Sequence, residues 1–217
     1  KKKNLIFIIM INNPYKIVQM FEEEVAAFTG APYAISVDSC TNAIFLCCTY
    51  LKVKEVTIPS KTYLSVPQSI IHAGGEVIFD KTEKTNAWSG IYQLKPYPIY
   101  DAAKRLKKEM YIEGTFMTLS FHIKKNLGIS KGGMILTDNA EAAQWFKKAR
   151  YEGRSEKNYK EDDITFMGWN MYMTPQQAAQ GLALLQNYNP LTEDQDEING
   201  YRDLTEFTVF KDHKIVQ

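Results

Sequence analysis

In "YKIVQMFEEEVAAFTGA" the apolar residues Ile17, Phe21, Val25 and Phe28 share one face of a helix, and Gly30 stands where a C-cap belongs. The period then changes. "YAISVD" is a short β-rich run, and "SCTNAIFLCCTYL" is an apolar helix opened by small polar residues. "EVTIP" reads as strand, "SVPQSIIHAGG" as helix ending in glycines, and "EVIFD" as strand. Strands and helices alternating at this spacing predict a parallel sheet with helices on its faces. Unbroken apolar runs in "EVIFD", "YPIYDA" and "FMTLSF" suit strands buried on both sides. "GGMILTDNAEAAQWFKKAR" continues as strand, turn and helix, and "TPQQAAQGLALLQNY" is a late helix rich in Ala and Leu. The expected fold is α/β, a three-layer α/β/α sandwich around a mostly parallel central sheet.

From "NYNPLTEDQDEING" the chain turns polar and acidic, and what remains after it is too short for a second core. At the other end, "KKKNLIFIIMI" places a short apolar run after three lysines. A buried strand or N-terminal arm is expected. A secretory leader is the competing reading, with "NNPYK" standing where a small-residue cleavage site belongs. No run is long enough to span a bilayer. Net charge is +1, so no broad basic field points to nucleic acid. The cysteines (Cys40, Cys47, Cys48) and histidines (His72, His122, His213) lack the spacing of a disulfide framework or a zinc site. A reducing, cytoplasmic setting fits them.

Ligands of open α/β sheets bind at the carboxyl ends of the strands, and four stretches fall there. In "VDSCTNA" a strand gives way to a helix at Ser39, Cys40 and Thr41, which reads as an ordinary N-cap or as an anion site on the helix N-terminus. Tyr63 in "PSKTYLS" is either a surface-packed tyrosine or a platform for a flat ring. Asp101 in "YPIYDAA" is either a helix cap or the partner of a buried cation. In "LSFHIKKNLGISKGG" two adjacent lysines, Lys124 and Lys125, end an apolar strand. They are a solvated pair, or one of them is a neutral amine able to bond a carbonyl, a form that partial burial and a neighbouring cation favour. Together the four supply what pyridoxal 5'-phosphate needs: a phosphate cup, an aromatic over the ring, a carboxylate at the pyridine nitrogen and a lysine for the aldehyde.

The motifs resemble, in order, the DegT/DnrJ/EryC1/StrS family of sugar-nucleotide aminotransferases, fold-type I enzymes of the aspartate aminotransferase class. The stretches "FEEEVAAFTGAPYAISVDSCTNAIFL", "TIPSKTYLSVPQSIIHAGGEVIFD", "YDAA", "LSFHIKKNLGISKGGMILTD", "ARYEGR" and "GWNMYMTPQQAAQGLALL" carry the likeness. The most specific is Ser-Phe-His-x-x-Lys-Asn followed by a double glycine. The resemblance implies that Lys125, and not Lys124, is the catalytic lysine. It implies that Ser39, Cys40 and Thr41 form the phosphate cup, with Ser120 near the phosphate. Tyr63 would stack on the ring, Asp101 would pair with the pyridinium nitrogen, and Lys104 would touch the ring oxygen. Asn170 would reach the neighbouring subunit's site, which implies a homodimer with shared active sites.

On this likeness the chain is expected to use pyridoxal 5'-phosphate to move an amino group from an amino acid, glutamate in most relatives, to a nucleotide-linked keto sugar. Such products serve amino-sugar and polysaccharide biosynthesis. The alternatives are a sugar dehydratase using the same cofactor, in which a histidine replaces the lysine, and a non-catalytic or activity-altered relative that serves as a binding protein. Residues 1–190 would be the cofactor-binding large domain and residues 191–217 a remnant of the small domain or a tail. The chain departs from the pattern where Cys40 replaces Gly, Lys104 replaces Gln or His, Lys131 precedes the double glycine in place of Glu-Gly-Gly, and Tyr172 replaces Arg. The interval between Asp80 and Tyr97 is short, so the usual strand–helix unit there is expected to be missing or shrunken. Members of the family are longer, which makes the chain a compact relative or a fragment.

Overall fold

The computed structural model describes residues 13–195 and 200–216, and the N-terminal apolar run lies outside them. Helix α1, Pro14–Thr29, opens under an Asn13 side chain that accepts the Tyr15 N–H at 3.0 Å. It closes at Gly30, whose φ of 78° only glycine adopts without strain. There follow β1 (Tyr33–Val37), α2 (Cys40–Leu51), β2 (Glu55–Pro59), α3 (Ser65–His72), β3 (Glu76–Asp80) and a single turn, α4 (Glu83–Asn86). Then come β4 (Tyr92–Leu94), β5 (Ile99–Asp101), β6 (Phe116–Ser120), β7 (Gly133–Thr137), α5 (Ala140–Ala149) and α6 (Pro175–Leu185). Two 3-10 turns precede β8 (Lys214–Val216).

The sheet is mixed, not mostly parallel. One part runs β1-β7-β6-β5-β4 and the other β2-β3-β8. Backbone hydrogen bonds between Thr57 and Lys95, at 2.8 and 3.0 Å, join the two. Strand β7 is antiparallel to both β1 and β6, and β4 is antiparallel to β5. Direction follows from the connections. The parallel neighbours β2 and β3 are linked through a helix, whereas β6 reaches β7 through a loop and β4 reaches β5 through a tight turn. The shrunken interval after Asp80 is therefore a one-turn helix and a short hairpin.

Apolar side chains fill both faces of the sheet, which makes three layers. Ile35, Val37 and Ile135 face α2, α3 and α5, while Met134, Leu136, Met117 and Leu119 face α1 and α6. Between the layers lies an ion pair. Arg150 and Glu22 are each 5% exposed, and Arg150 Nη1 donates to a Glu22 carboxylate oxygen and, at 2.6 Å, to the Ser36 carbonyl. The Ser36 N–H and hydroxyl donate to the same Glu22 oxygen at 2.8 and 2.9 Å. The cluster ties α1, β1 and the end of α5 together. Among the described residues no helix is long and apolar enough to cross a membrane.

Arg150→Ala leaves a buried carboxylate without its cation, so urea denaturation should show a loss of about 3–5 kcal/mol. The double substitution Arg150→Met with Glu22→Leu should recover only part of it: an apolar pair removes both desolvation penalties but leaves the buried Ser36 N–H and hydroxyl without their acceptor.

Candidate functional site

A cavity of about 580 Å³ opens where β5 and β6 end and α2 begins. The end of the cavity at the start of α2 is set by a close contact. Gly133 pairs with Val37 on one side and Ser120 on the other, bringing the start of β7 against the peptide between Ser39 and Cys40. A Cβ on Gly133 would stand 2.3 Å from the Ser39 carbonyl carbon and 2.5 Å from the Cys40 nitrogen, so only glycine fits. Ser39, Cys40 and Thr41, where α2 begins, line the cavity, and a helix lacks internal partners for the N–H groups of its first turn. The Ser39 hydroxyl caps the helix by accepting the Asn42 N–H at 3.2 Å. Thr41 Oγ1 lies 2.8 Å from Ser65 Oγ. Cys40 is buried, with its Sγ 3.6 Å from Thr118 Oγ1 on β6, so the extra bulk is turned toward the sheet. Burial, followed by the nearby Asp101 charge, pushes the Cys40 thiol up, which keeps it neutral.

At the other end lies Asp101, 5% exposed. Desolvation raises its carboxyl above the ordinary range. Donation by the Ala103 N–H and by the Tyr92 hydroxyl, each at 2.9 Å, and the charges of Lys125 and Lys104, oppose that rise. No helix follows Asp101, so the helix-cap reading of this residue does not hold. Lys124 and Lys125 both line the cavity, but Lys124 is exposed and Lys125 half-buried. The Lys125 charge acts on both Asp101 and Cys40. Lys104 is 3% exposed, with its Nζ 4.5 Å from the Tyr201 ring centre and 5.3 Å from that of Trp88. Tyr63 is 60% exposed at the mouth and meets Tyr201 edge-on at 6.5 Å.

A model of the DegT/DnrJ/EryC1/StrS aminotransferase family matches residues 9–88 and 105–210. The chain belongs to that family. The family match breaks at residues 89–104, the interval that holds the hairpin β4–β5 with Asp101 and Lys104. The spore coat polysaccharide biosynthesis protein SpsC of Bacillus subtilis is 27% identical over 84% of this chain and 60% of its own length. A DegT DnrJ EryC1 StrS aminotransferase from Brucella abortus shares the fold at 18% identity and a TM-score of 0.73, covering 99% of this chain and 84% of that one. PseC of Helicobacter pylori, an aminotransferase involved in pseudoaminic acid biosynthesis, shares it at 17% identity and a TM-score of 0.63, covering 78% of this chain and 57% of that one. The chain spans about 60% of the length of the curated relatives it matches.

Of the residues expected from sequence, Ser39, Cys40, Thr41, Tyr63, Asp101, Lys104, Ser120 and Lys125 all line the one cavity. Asn170 does not. Its side chain is exposed and donates to Glu152 Oε1 at 2.9 Å. Tyr172 packs edge-on against Tyr151 at 5.3 Å, beside a separate cavity of about 260 Å³. Lys131 bridges the rim to Asp38 at 3.2 Å. Sequence reading missed Thr62, Trp88, Gln195 and Tyr201 on the cavity wall, and Tyr92 beneath Asp101. The C-terminal residues reach the wall through long-range contacts. The Gln195 N–H donates to the Lys104 carbonyl at 2.9 Å, and its side chain donates to the Lys124 carbonyl at 2.8 Å.

The raised Asp101 carboxyl fixes a sign for stability. Above the ordinary carboxylate range the unfolded chain has released this proton while the folded chain still holds it, up to the raised value. The group's stabilising contribution is present at acid pH and falls as pH rises through that window. Asp101→Asn removes the titration. In thermal melts of ligand-free protein, the difference in Tm should move in favour of the variant as pH rises through the window. A difference flat with pH contradicts a desolvated carboxyl.

Proposed function

We propose that this chain binds pyridoxal 5'-phosphate and transfers an amino group from an amino acid, glutamate in the first instance, to a nucleotide-linked keto sugar. One observation carries the reading: a single cavity holds a helix N-terminus at one end, a buried carboxylate at the other and a half-buried lysine in the same walls. These residues fit the cofactor. The α2 terminus with Ser39 and Thr41 suits a phosphate dianion, and the neutral Cys40 adds no opposing charge. Gly133 lets the start of β7 lie against the Ser39–Cys40 peptide, which a Cβ would push away.

Bound there, the cofactor supplies a protonated ring that draws electrons from the carbon undergoing proton loss. Asp101 would keep the proton on the ring nitrogen by ion pairing, which the burial of its carboxylate strengthens. Lys125 would bond the aldehyde carbon, and on release would take the proton from the donor's α-carbon and return it on the cofactor side. Tyr63 would cover the ring face and exclude water. Ser120, at the end of β6, would hold the phosphate from the sheet side. Lys104 would sit against the ring oxygen, held by the Trp88 and Tyr201 rings.

Residues 1–190 would form the cofactor-binding domain. Residues 191–217 would be the remnant of the small domain or a tail, with Gln195 and Tyr201 on the cavity wall. A second copy would bring its Asn170 to the site, consistent with the exposed position of Asn170 away from this chain's own cavity. A cofactor-binding relative that has lost transfer to sugars is the competing reading. Its support is the 60% coverage of the curated relatives and Tyr172 in the position of the family's arginine.

Purified protein supplied with pyridoxal 5'-phosphate should be yellow, and borohydride should fix the cofactor on Lys125 in peptide mass mapping. Lys125→Ala should abolish the adduct while Lys124→Ala keeps it; the reverse outcome contradicts the assignment. Glutamate should bleach the yellow absorbance in wild type. A yellow protein that glutamate leaves unchanged supports the competing reading.

A further inference from the structure

Asp101 stands on a support that the sequence did not announce. Tyr92 Oη lies 2.9 Å from Asp101 Oδ2 and 2.6 Å from Thr62 Oγ1. Thr62 is 2% exposed, Asp101 5% and Tyr92 7%. A phenol has one hydrogen and an ionised carboxylate has none. With Asp101 ionised, only one assignment satisfies the chain. Thr62 donates to Tyr92, Tyr92 donates to Oδ2, and the Ala103 N–H donates to Oδ1 at 2.9 Å. The other charged or titratable groups that act on Asp101 are Lys125 after β6, Lys104 after β5 and the neutral Cys40 at the start of α2. Tyr92 belongs to β4, inside the interval 89–104 where the family match breaks, so the support is built by the shortened hairpin.

We propose that Tyr92, oriented by Thr62, is a positioning residue that holds Asp101 ionised and aimed at the ring nitrogen of a bound pyridine cofactor. This rests on the cofactor reading above. The hydroxyl stabilises the carboxylate from below, and the cofactor's pyridinium engages it from the cavity. Loss of the Tyr92 hydrogen leaves Oδ2 desolvated without a donor, which favours the neutral acid and weakens the ion pair. The effect acts through the ring nitrogen alone. A ligand of the same shape with a carbon in that position does not feel it.

The test measures dissociation constants for pyridoxal 5'-phosphate and for its 1-deaza analogue, which carries CH in place of the ring nitrogen. Wild type, Tyr92→Phe, Thr62→Val and Thr62→Ser are compared as full chains. Wild type should prefer the nitrogen-bearing compound. Tyr92→Phe should weaken that compound about tenfold, the scale of one hydrogen bond to a charged group, and shift the deaza analogue less than about twofold. Thr62→Val should move the same way by a smaller factor, and Thr62→Ser should restore wild-type binding. A variant that weakens both compounds equally overturns the proposal, because packing alone does that. So does preference for the nitrogen compound that survives both Tyr92→Phe and Thr62→Val. Wild type that binds neither compound overturns the cofactor reading, and the proposal with it.

Discussion

A carboxylate held away from water must be repaid in hydrogen bonds and cations, and Asp101 sets that demand for the whole site. Its two oxygens take a backbone N–H and a phenol, while Lys125 and Lys104 supply charge from the cavity side. Opposite charge near a desolvated acid is strongly attractive, so on the proposed reading the floor of the cavity would take a ligand that brings a positive centre. The far end would take the reverse. There the first turn of α2 offers N–H groups and the positive end of its dipole. A ligand with a cationic ring and an anionic tail matches both ends at once.

Backbone contact fixes the distance between those ends. Gly133 lies in register with Val37 and Ser120 and against the Ser39–Cys40 peptide, so β7 locks the helix terminus to the strands that end at the site. The antiparallel course of β7 makes this possible, because its first residue, not its last, meets the carboxyl ends of β1 and β6. The reversal of direction that breaks the parallel pattern thus also places the double glycine where the sequence motif needs it.

Much of this was legible in the chain. Helix α1 followed from its apolar face and Gly30, and α2 from small polar residues before an apolar run. Eight of the nine expected site residues line the cavity because strand ends converge on one edge of a sheet, which alternating elements already imply. The choice between Lys124 and Lys125 was not legible from spacing and came only with the motif. Strand direction was misread because local patterns report burial, not the side to which a loop returns. Tyr92, Trp88 and Tyr201 were missed for a related reason. Each is an unremarkable aromatic locally, and its role arises from a hairpin and a C-terminal segment brought to the site by contacts across the fold.

The most direct test of the account is a crystal structure of the chain grown with pyridoxal 5'-phosphate. The phosphate should lie at the N-terminus of α2, among Ser39 and Thr41, and the ring nitrogen on Asp101. A phosphate resting on the rim lysines Lys124 and Lys131, with Asp101 engaging only Tyr92 and Ala103, would contradict it.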